Sequence, residues 1–181
     1  MYDGEFLWFP MRVTYGREMK IKQYLDEDRL RCFLPMRYVF KEYNGERKRQ
    51  LVPAVSNLIF VKSTVKQLNE MKRFDIRYSV LRFIMRDSRY DGIHEIMTIP
   101  EETMENFMKV TEIPDEGFFY LEPSEYVNNH VGKKVTITGG PFAGVHGIIK
   151  RVKNNKRVVV QLEGILAAAI DFVPNNCLIY E

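Results

Sequence analysis

The sequence contains few of the residues from which redox, metal or disulfide sites are built. Of its 181 residues, two are cysteines and three are histidines. Cys32 and Cys177 lie far apart with no paired-cysteine spacing, so we expect buried free thiols rather than a disulfide framework or a zinc site. His94, His130 and His146 are scattered, and none is placed with a metal-ligand or nucleophile-activating spacing. We therefore predict no enzymatic activity, no catalytic residue, no metal and no cofactor.

Long apolar runs and phosphate-binding loops are also absent. No run approaches the roughly 20 apolar residues that a membrane helix needs, and the amino-terminal stretch MYDGEFLWFPMRV lacks the pattern of a secretory signal. The pair Gly139-Gly140 precedes a predicted strand rather than a helix, so it is unsuited to hold a phosphate at a helix start. By default we expect a monomeric, cytoplasmic protein without membrane contact.

Charge divides the chain into three parts, although the net charge is only +3. Residues 1–109 contain 20 Lys+Arg and 16 Asp+Glu, residues 110–127 contain none and five, and residues 128–181 contain seven and three. The acidic middle part has two prolines, a glycine and no sustained period, which is typical of a connector. We predict domains at 1–109 and 128–181, joined by an acidic linker at 110–127. Its apolar run at 118–121 suggests that part of this linker packs on a domain.

In the first part, hydrophobic periodicity predicts alternating strands and helices. Leu7–Val13 reads as a buried strand, and 17–28 as a helix with an apolar face and a basic side. Asn44-Gly45 is a strong hairpin-turn signal between an alternating strand at 36–43 and a basic return strand at 47–52. Further strands are predicted at 32–35, 58–61 and 80–85, and helices after Thr64 and Pro100. Dominant hairpin neighbours favour an α+β domain with an antiparallel sheet.

In the last part, the segment 132–149 packs a strand, a demanding turn and a second strand into a short span. Val135 and Ile137 alternate with polar residues, as in a half-buried strand. The turn that follows depends on residues with special backbone freedom or rigidity: Gly139, Pro141, Gly144 and Gly147. Further on, 162–172 contains three consecutive alanines that favour helix, yet the neighbouring valines favour a barrel strand, which we predict.

The segment 132–149 resembles the KOW motif, and the first part resembles the amino-terminal domain of the NusG family. The second resemblance rests on Trp8, the basic helix after Thr14, and the segments 32–35 and 56–61. Together the two cover nearly the whole chain. They imply an α+β fold: an antiparallel-sheet NusG amino-terminal domain with packed helices, a linker, and a small all-β KOW barrel of SH3-like type.

The resemblance also implies a function. Such bacterial proteins are transcription elongation and antitermination factors that bind RNA polymerase near the clamp and suppress pausing or termination. Tyr38, Leu58 and Phe60 match polymerase-contacting positions, although strand alternation leaves Leu58 and Phe60 equally compatible with the core. Phe142, Ile165 and Leu166 are the expected contacts of the KOW domain with a ribosomal protein or a termination factor.

A second implied contact is with the single-stranded non-template DNA in the elongation complex. Thr14, Arg17, Lys20 and Tyr24 match the positions of that contact, and the spacing of Arg17, Lys20 and Tyr24 places them in one helical stripe. A solvated helix face, with Tyr24 partly buried, explains the same pattern. The basic strand around Lys48 invites the same two interpretations, since edge strands often carry charge against unwanted pairing.

Departures from the family pattern favour a specialised paralogue of the RfaH/UpxY type. Asn57-Leu58 stands where the family has Pro-Gly-Tyr, CFLPM resembles those paralogues, and 164–167 replaces the Phe-Gly-Arg loop. We therefore expect action on selected operons, such as polysaccharide biosynthesis clusters. Two alternatives remain: a general NusG housekeeping factor, and a KOW-type ribosomal RNA-binding protein, for which the first domain is too nearly balanced in charge.

Overall fold

The computed structural model describes residues 4–87, 94–112, 117–126 and 132–181. The chain forms two compact units, Met1–Glu101 and Glu102–Glu181. This division differs from the predicted limits 1–109, 110–127 and 128–181, because the helix that follows Pro100 clusters with the second unit. His130, part of the predicted linker and the start of the predicted KOW domain lie outside the described residues.

The first unit is built on a four-stranded antiparallel sheet. Its strands are β1 (Leu7–Val13), β2 (Cys32–Phe33), β5 (Leu58–Ser63) and β6 (Leu81–Phe83), in the order β2-β5-β1-β6. The continuous apolar run of β1 is explained by its central position, since β5 and β6 flank it on either side. A central strand with both faces buried needs no alternation of polar and apolar residues.

Two helices pack on one face of this sheet. These are α1 (Glu18–Glu27) and α2 (Val65–Phe74). Thr64 caps α2, because its hydroxyl oxygen accepts a hydrogen bond from the Gln67 backbone N–H at 3.1 Å, as the sequence predicted. The core between sheet and helices includes these buried residues: Phe9, Met11, Val13, Ile21, Leu25, Ile59, Val61 and Leu68. None of the helices within the described ranges is long and apolar enough to cross a membrane.

Two hairpins complete the first unit. The longer one, hereafter the ribbon, pairs β3 (Met36–Tyr43) with β4 (Glu46–Pro53). Its turn is the predicted Asn44-Gly45, and both residues have positive φ, 50° and 82°, as a type I′ hairpin turn requires. The shorter hairpin pairs β7 (Met85–Asp87) with β8 (His94–Ile96). Periodicity did not predict it, because three residues are too few to show a period.

The second unit contains α3 (Glu101–Thr111) and a six-stranded antiparallel sheet. The strands are β9 (Phe118–Leu121), β10 (Lys134–Ile137), β11 (His146–Val152), β12 (Asn155–Leu162), β13 (Leu166–Ile170) and β14 (Leu178–Tyr180), and a short helix, α4 (Pro123–Tyr126), follows β9. Their order in the sheet is β14-β10-β11-β12-β13-β9. β9 lies in the segment predicted to be linker, and its pairing with β13 makes it part of this unit.

The alanine run is a strand, as predicted. Ala167, Ala168 and Ala169 in β13 are fully buried. Opposite them on β9 stand Leu121, Tyr120 and Phe119, respectively. The small side chains leave room for these bulky neighbours in the sheet, and that packing outweighs the helical preference of alanine.

Candidate nucleic-acid and protein interfaces

The chain leaves β1 through a tight turn that is held from a neighbouring strand. Thr14–Gly16 forms a single 3₁₀ turn in which Tyr15 and Gly16 have positive φ, 67° and 62°. The side-chain oxygen of Asn57 accepts from the Gly16 backbone N–H at 3.3 Å, and the buried Glu18 carboxylate accepts from the Asn57 backbone N–H. Asn57 itself has φ 61°, a left-handed conformation that asparagine tolerates better than most residues. This turn fixes the start of α1.

A surface groove of about 410 Å³ runs along α1, and we call it the α1 groove. Its lining residues come from α1 and from the segment after α2: Arg17, Lys20, Ile21, Tyr24, Ile76 and Arg77. Lys20 Nζ lies 4.8 Å from the centroid of the Tyr24 ring, and the Arg77 guanidinium carbon lies 5.2 Å from it. The half-buried Tyr24 ring therefore lies close to two cations in the groove.

Arg77 is held in place by two carboxylates. Its Nη2 donates to Asp75 at 2.6 Å and to Asp28 at 2.8 Å. The hydrogen bond from the Arg77 side chain is the main cause that lowers the pKa of Asp75, and the same bond raises the pKa of Arg77. Tyr78 donates its hydroxyl to Asp28 at 2.6 Å, and burial, followed by this bond, raises the pKa of Tyr78. The two carboxylates thus favour the charged form of Arg77.

Exposed apolar side chains border the α1 groove. Tyr15 is 84% exposed, and the Arg17 guanidinium carbon lies 5.7 Å from its ring centroid. Ile76, which lines the groove, is 85% exposed. Phe74, two residues earlier in the chain and outside the lining, is 75% exposed. Sequence reasoning missed these three residues and Arg77. Tyr15 could have been noticed as an aromatic residue next to Gly16 at the start of the predicted basic helix, whereas no local pattern connects the 74–77 segment to α1.

One face of the ribbon combines aromatic rings with arginines. The register places Tyr38 opposite Leu51 and Phe40 opposite Arg49. The Arg49 guanidinium carbon lies 3.7 Å from the Tyr38 ring centroid, and that of Arg47 lies 4.5 Å from the Phe40 ring centroid. Tyr38, Leu51 and Phe40 are 37%, 40% and 61% exposed, respectively. Exposed aromatic rings together with arginines on one face are typical of a protein contact surface.

The other two predicted polymerase contacts are buried. Leu58 is 5% exposed and Phe60 is fully buried, with its ring centroid 6.3 Å from that of Phe33. Strand alternation puts both on the face of the sheet opposite to Ile59 and Val61, which belong to the core between sheet and helices. This burial agrees with the core interpretation, and it removes the support for a surface contact through these two side chains.

Comparisons with known proteins identify the family. A family profile with the description "Transcription termination factor nusG" matches residues 6–108, more than half of the chain. The chain belongs to the NusG family. This family consists of transcription factors and not of enzymes.

A solved structure described as "Domain interaction in Thermotoga maritima NusG" is also similar to this NusG-family chain. The sequences are 14% identical, the similarity covers 96% of both chains, and the TM-score is 0.45. Among curated proteins, no match to the chain was found.

The family profile ends at residue 108, before the strands of the second unit, where three partner contacts are predicted. Phe142 is half-buried, and its ring lies against Gly117. Ile165 is half-buried in the turn between β12 and β13, where its backbone N–H donates to the Leu162 carbonyl at 2.9 Å. Leu166 is only 1% exposed, so its predicted contact loses support because the sheet covers its side chain.

Three of the predicted turn residues lie between β10 and β11, and the fourth, Gly147, lies within β11. Gly144 has φ 80°, a conformation that favours glycine, and its N–H donates to the Ile137 carbonyl at 2.6 Å. A Cβ atom on Gly147 would stand 2.5 Å from a Val158 methyl group, so the strands approach too closely for any side chain. Gly139 lies against Cys177, and Pro141 is exposed. No cluster of histidine, cysteine and carboxylate groups suited to a metal ion occurs among the described residues.

Proposed function

We propose that this NusG-family chain is a transcription elongation and antitermination factor that rides on RNA polymerase and holds the non-template DNA strand in the α1 groove. The observation that carries the proposal is the groove itself. Lys20 and Arg77 lie close to the Tyr24 ring there, and Arg17 lines the same groove beside the exposed Tyr15. Cations beside exposed aromatic rings are the combination that binds single-stranded nucleic acid.

Single-stranded DNA fits this groove better than a duplex does. An unpaired base can stack on Tyr15 or pack against Ile76, while the neighbouring phosphates meet Arg17 and Lys20. A duplex hides its base faces, so it would leave these exposed apolar groups without a partner. Thr14, half-buried within the same turn, positions the groove rather than lining it.

For the contact with RNA polymerase, we propose the aromatic face of the ribbon. Tyr38 retains the role predicted from sequence, and Phe40 and Leu51 extend the same exposed face. Aromatic residues and arginine are the residues that dominate binding energy at protein interfaces. Phe142 and Ile165, both half-buried, remain the proposed contacts of the second unit with a ribosomal protein or a termination factor.

We further propose that the protein acts on selected operons and not on transcription in general. Asn57, which stands where the family has Pro-Gly-Tyr, connects β5 to the turn that begins the α1 groove. A change at this position therefore alters the surface that reads DNA, as expected of a factor with its own targets. The runner-up is a general NusG factor. If the source genome held no second NusG-like gene, the selective role would be untenable, and transcript profiling of a deletion strain would then show a global rather than a local effect.

The DNA contact is tested on reconstituted elongation complexes carrying a fluorescent non-template strand. We expect the double variant Arg17→Ala/Lys20→Ala to bind these complexes at least about tenfold more weakly and to lose the antipausing effect. The matched control is Lys22→Ala, which removes a cation of the same helix that pairs with Asp26 at 2.7 Å outside the groove. Equal affinity of the double variant and the control would refute the groove as the DNA site.

The polymerase contact is tested separately, by pull-down with purified core enzyme lacking nucleic acid. Tyr38→Ala/Phe40→Ala should reduce capture. Tyr43→Ala is the control, because Tyr43 is 51% exposed on the same ribbon and lies on its other face by strand alternation. Capture that falls equally in both would assign the loss to the ribbon as a whole and reject the aromatic face as the contact.

A further inference from the structure

Every charged residue of the β11–β12 hairpin is basic. Between His146 and Leu162 the chain carries five Lys+Arg and no Asp or Glu. The register places Lys150 opposite Arg157, and Arg151 opposite Lys156. Like charges directly opposite each other destabilise an antiparallel pair, so strand pairing alone does not account for this arrangement.

Both residues of the first pair have partners within the fold. Lys150 is buried and donates to the Gln161 side-chain oxygen at 3.1 Å. Arg157 forms an ion pair with Asp171 at 3.0 Å and lies 5.0 Å from the Phe119 ring centroid. Lys156 differs from them, because it is exposed and no carboxylate among the described residues lies within ion-pair distance of its Nζ.

Lys156 lines a second basic pocket, which we call the Tyr180 pocket. Its volume is about 390 Å³, and its lining residues are Gly132, Lys133, Ile149, Lys156 and Tyr180. Lys133 is exposed like Lys156, and its Nζ lies 5.8 Å from the Tyr180 ring centroid. Tyr180 is 53% exposed, so its ring is open to solvent. Ile149 contributes a half-buried apolar surface.

The backbone of Gly132 also shapes this pocket. A Cβ atom there would stand 2.3 Å from the Ile149 carbonyl oxygen, and the Ile149 N–H donates to the Lys133 carbonyl at 2.9 Å. Only glycine lets the chain pass so close to β11. The two segments are thereby fixed together, and Lys133 is held at the same pocket as Lys156.

We infer that the Tyr180 pocket is a second binding site for single-stranded nucleic acid, on the second unit and separate from the α1 groove. An unpaired base stacks on the Tyr180 ring and also covers the apolar surface of Ile149. The phosphates on either side of this base pair with Lys133 and Lys156. An acidic peptide would satisfy the two lysines but would leave the open ring and the apolar surface unused. The ligand is therefore a polyanion with exposed flat faces. RNA and single-stranded DNA share this chemistry.

The test uses the full-length chain carrying Arg17→Ala and Lys20→Ala, so that binding through the α1 groove does not contribute. Fluorescence anisotropy with labelled twelve-nucleotide oligo(U) and oligo(dT) should still show salt-dependent binding. In this background Tyr180→Ala should weaken binding at least about fivefold, whereas Tyr180→Phe, which keeps the stacking surface, should stay within about twofold. The aromatic control is Phe172→Ala, because Phe172 is 77% exposed in the same unit and outside the pocket.

The lysines are tested through the salt dependence. Replacing Lys133 and Lys156 together by alanine should reduce the slope of log affinity against log salt by about 1.4, the value for two phosphate contacts with a single strand. Lys66→Ala, an exposed lysine of the first unit, should leave the slope unchanged. Thermal melts of each variant establish that the second unit remains folded.

The outcomes are distinct. Tighter binding of oligo(U) assigns the site to RNA, and tighter binding of oligo(dT) assigns it to single-stranded DNA. Equal binding of the two assigns it to both kinds of nucleic acid. Equal affinity of Tyr180→Ala and its parent, or equally tight binding of a poly-glutamate peptide, would overturn the inference. Neither result bears on the α1 groove, whose own test compares Arg17→Ala/Lys20→Ala with Lys22→Ala on elongation complexes.

Discussion

The Arg77 guanidinium lies 5.2 Å from the ring centroid of Tyr24, a residue of α1 that is 53 positions earlier in the chain. The same guanidinium donates hydrogen bonds to Asp28, directly after α1, and to Asp75, which precedes the 3₁₀ turn Ile76–Tyr78 that contains Arg77. Arg77 therefore joins two segments and sets the width of the α1 groove. The groove is a product of this long-range bridge and not of α1 alone.

The first prediction concerns that bridge. Arg77→Lys keeps the positive charge but loses the planar fork that bonds two carboxylates at once. We expect the affinity for single-stranded DNA in elongation complexes to fall about threefold, because the ring of Tyr24 loses its stacked partner. The control is Arg73→Lys, whose guanidinium lies 5.2 Å from the Phe74 ring centroid, outside the groove lining. An Arg77→Lys affinity equal to that of the parent would contradict the bridging role.

A second prediction concerns Asn57. Asn57→Gly retains the left-handed conformation but removes the bond to Gly16, so it should lower the free energy of unfolding by about 0.5–1.5 kcal/mol. Asn57→Leu adds the penalty of a bulky residue at φ 61° and should cost about 1–2 kcal/mol more. Urea denaturation measures both. If Asn57→Leu were as stable as Asn57→Gly, the backbone conformation would not be the reason for asparagine here.

The third prediction separates core from surface. Phe60→Ala should lower the free energy of unfolding by about 3–5 kcal/mol and Leu58→Ala by about 2–5 kcal/mol, because both side chains are buried. Tyr38→Ala, at a ribbon position 37% exposed, should cost far less. Chemical denaturation gives these values, and the polymerase pull-down is then compared at equal concentrations of folded protein. Capture that stays at the parental level in a folded Leu58→Ala/Phe60→Ala variant would assign both residues to the core alone.

The fourth prediction uses the thiol of Cys32. Burial, and then the Asp26 carboxylate that accepts from its Sγ at 3.5 Å, raise the pKa of Cys32 to about 12. At pH 8 only about one thiol in ten thousand is then the reactive thiolate, so iodoacetamide should alkylate Cys32 very slowly in the native protein. In a Cys177→Ser background, Asp26→Asn should accelerate the reaction severalfold, because it removes a negative charge that disfavours the thiolate.

Lys22→Ala is the control for that measurement. Lys22 lowers the pKa of Cys32, so its loss should slow alkylation or leave it unchanged. The raised pKa also affects stability. The folded state keeps the thiol protonated, so this stabilisation is complete below the unfolded pKa of about 9 and is lost as the pH rises toward 12. Alkylation of Asp26→Asn at the parental rate would show that burial alone protects the thiol.

Local patterns predicted most of the first unit. β1, α1, the ribbon with its Asn44-Gly45 turn and the Thr64 cap each depend on signals within about ten residues, and the structure contains all of them. For β9, composition predicts a linker, because its acidic, proline-containing surroundings resemble a connector. Its four residues become a strand through pairing with β13, a partner some 50 positions further along the chain. No short window contains that information.

By itself, the sequence determined the stripe of Arg17, Lys20 and Tyr24, because helical periodicity alone places residues three and four apart on one face. It also determined which residues of β5 share a face. Only the tertiary structure decided that Leu58 and Phe60 are buried, because alternation says which way a side chain points and not what covers it. The same holds for Ile76 and Arg77 in the α1 groove and for Tyr180 beside Lys133, since chain folding alone brings these distant residues together.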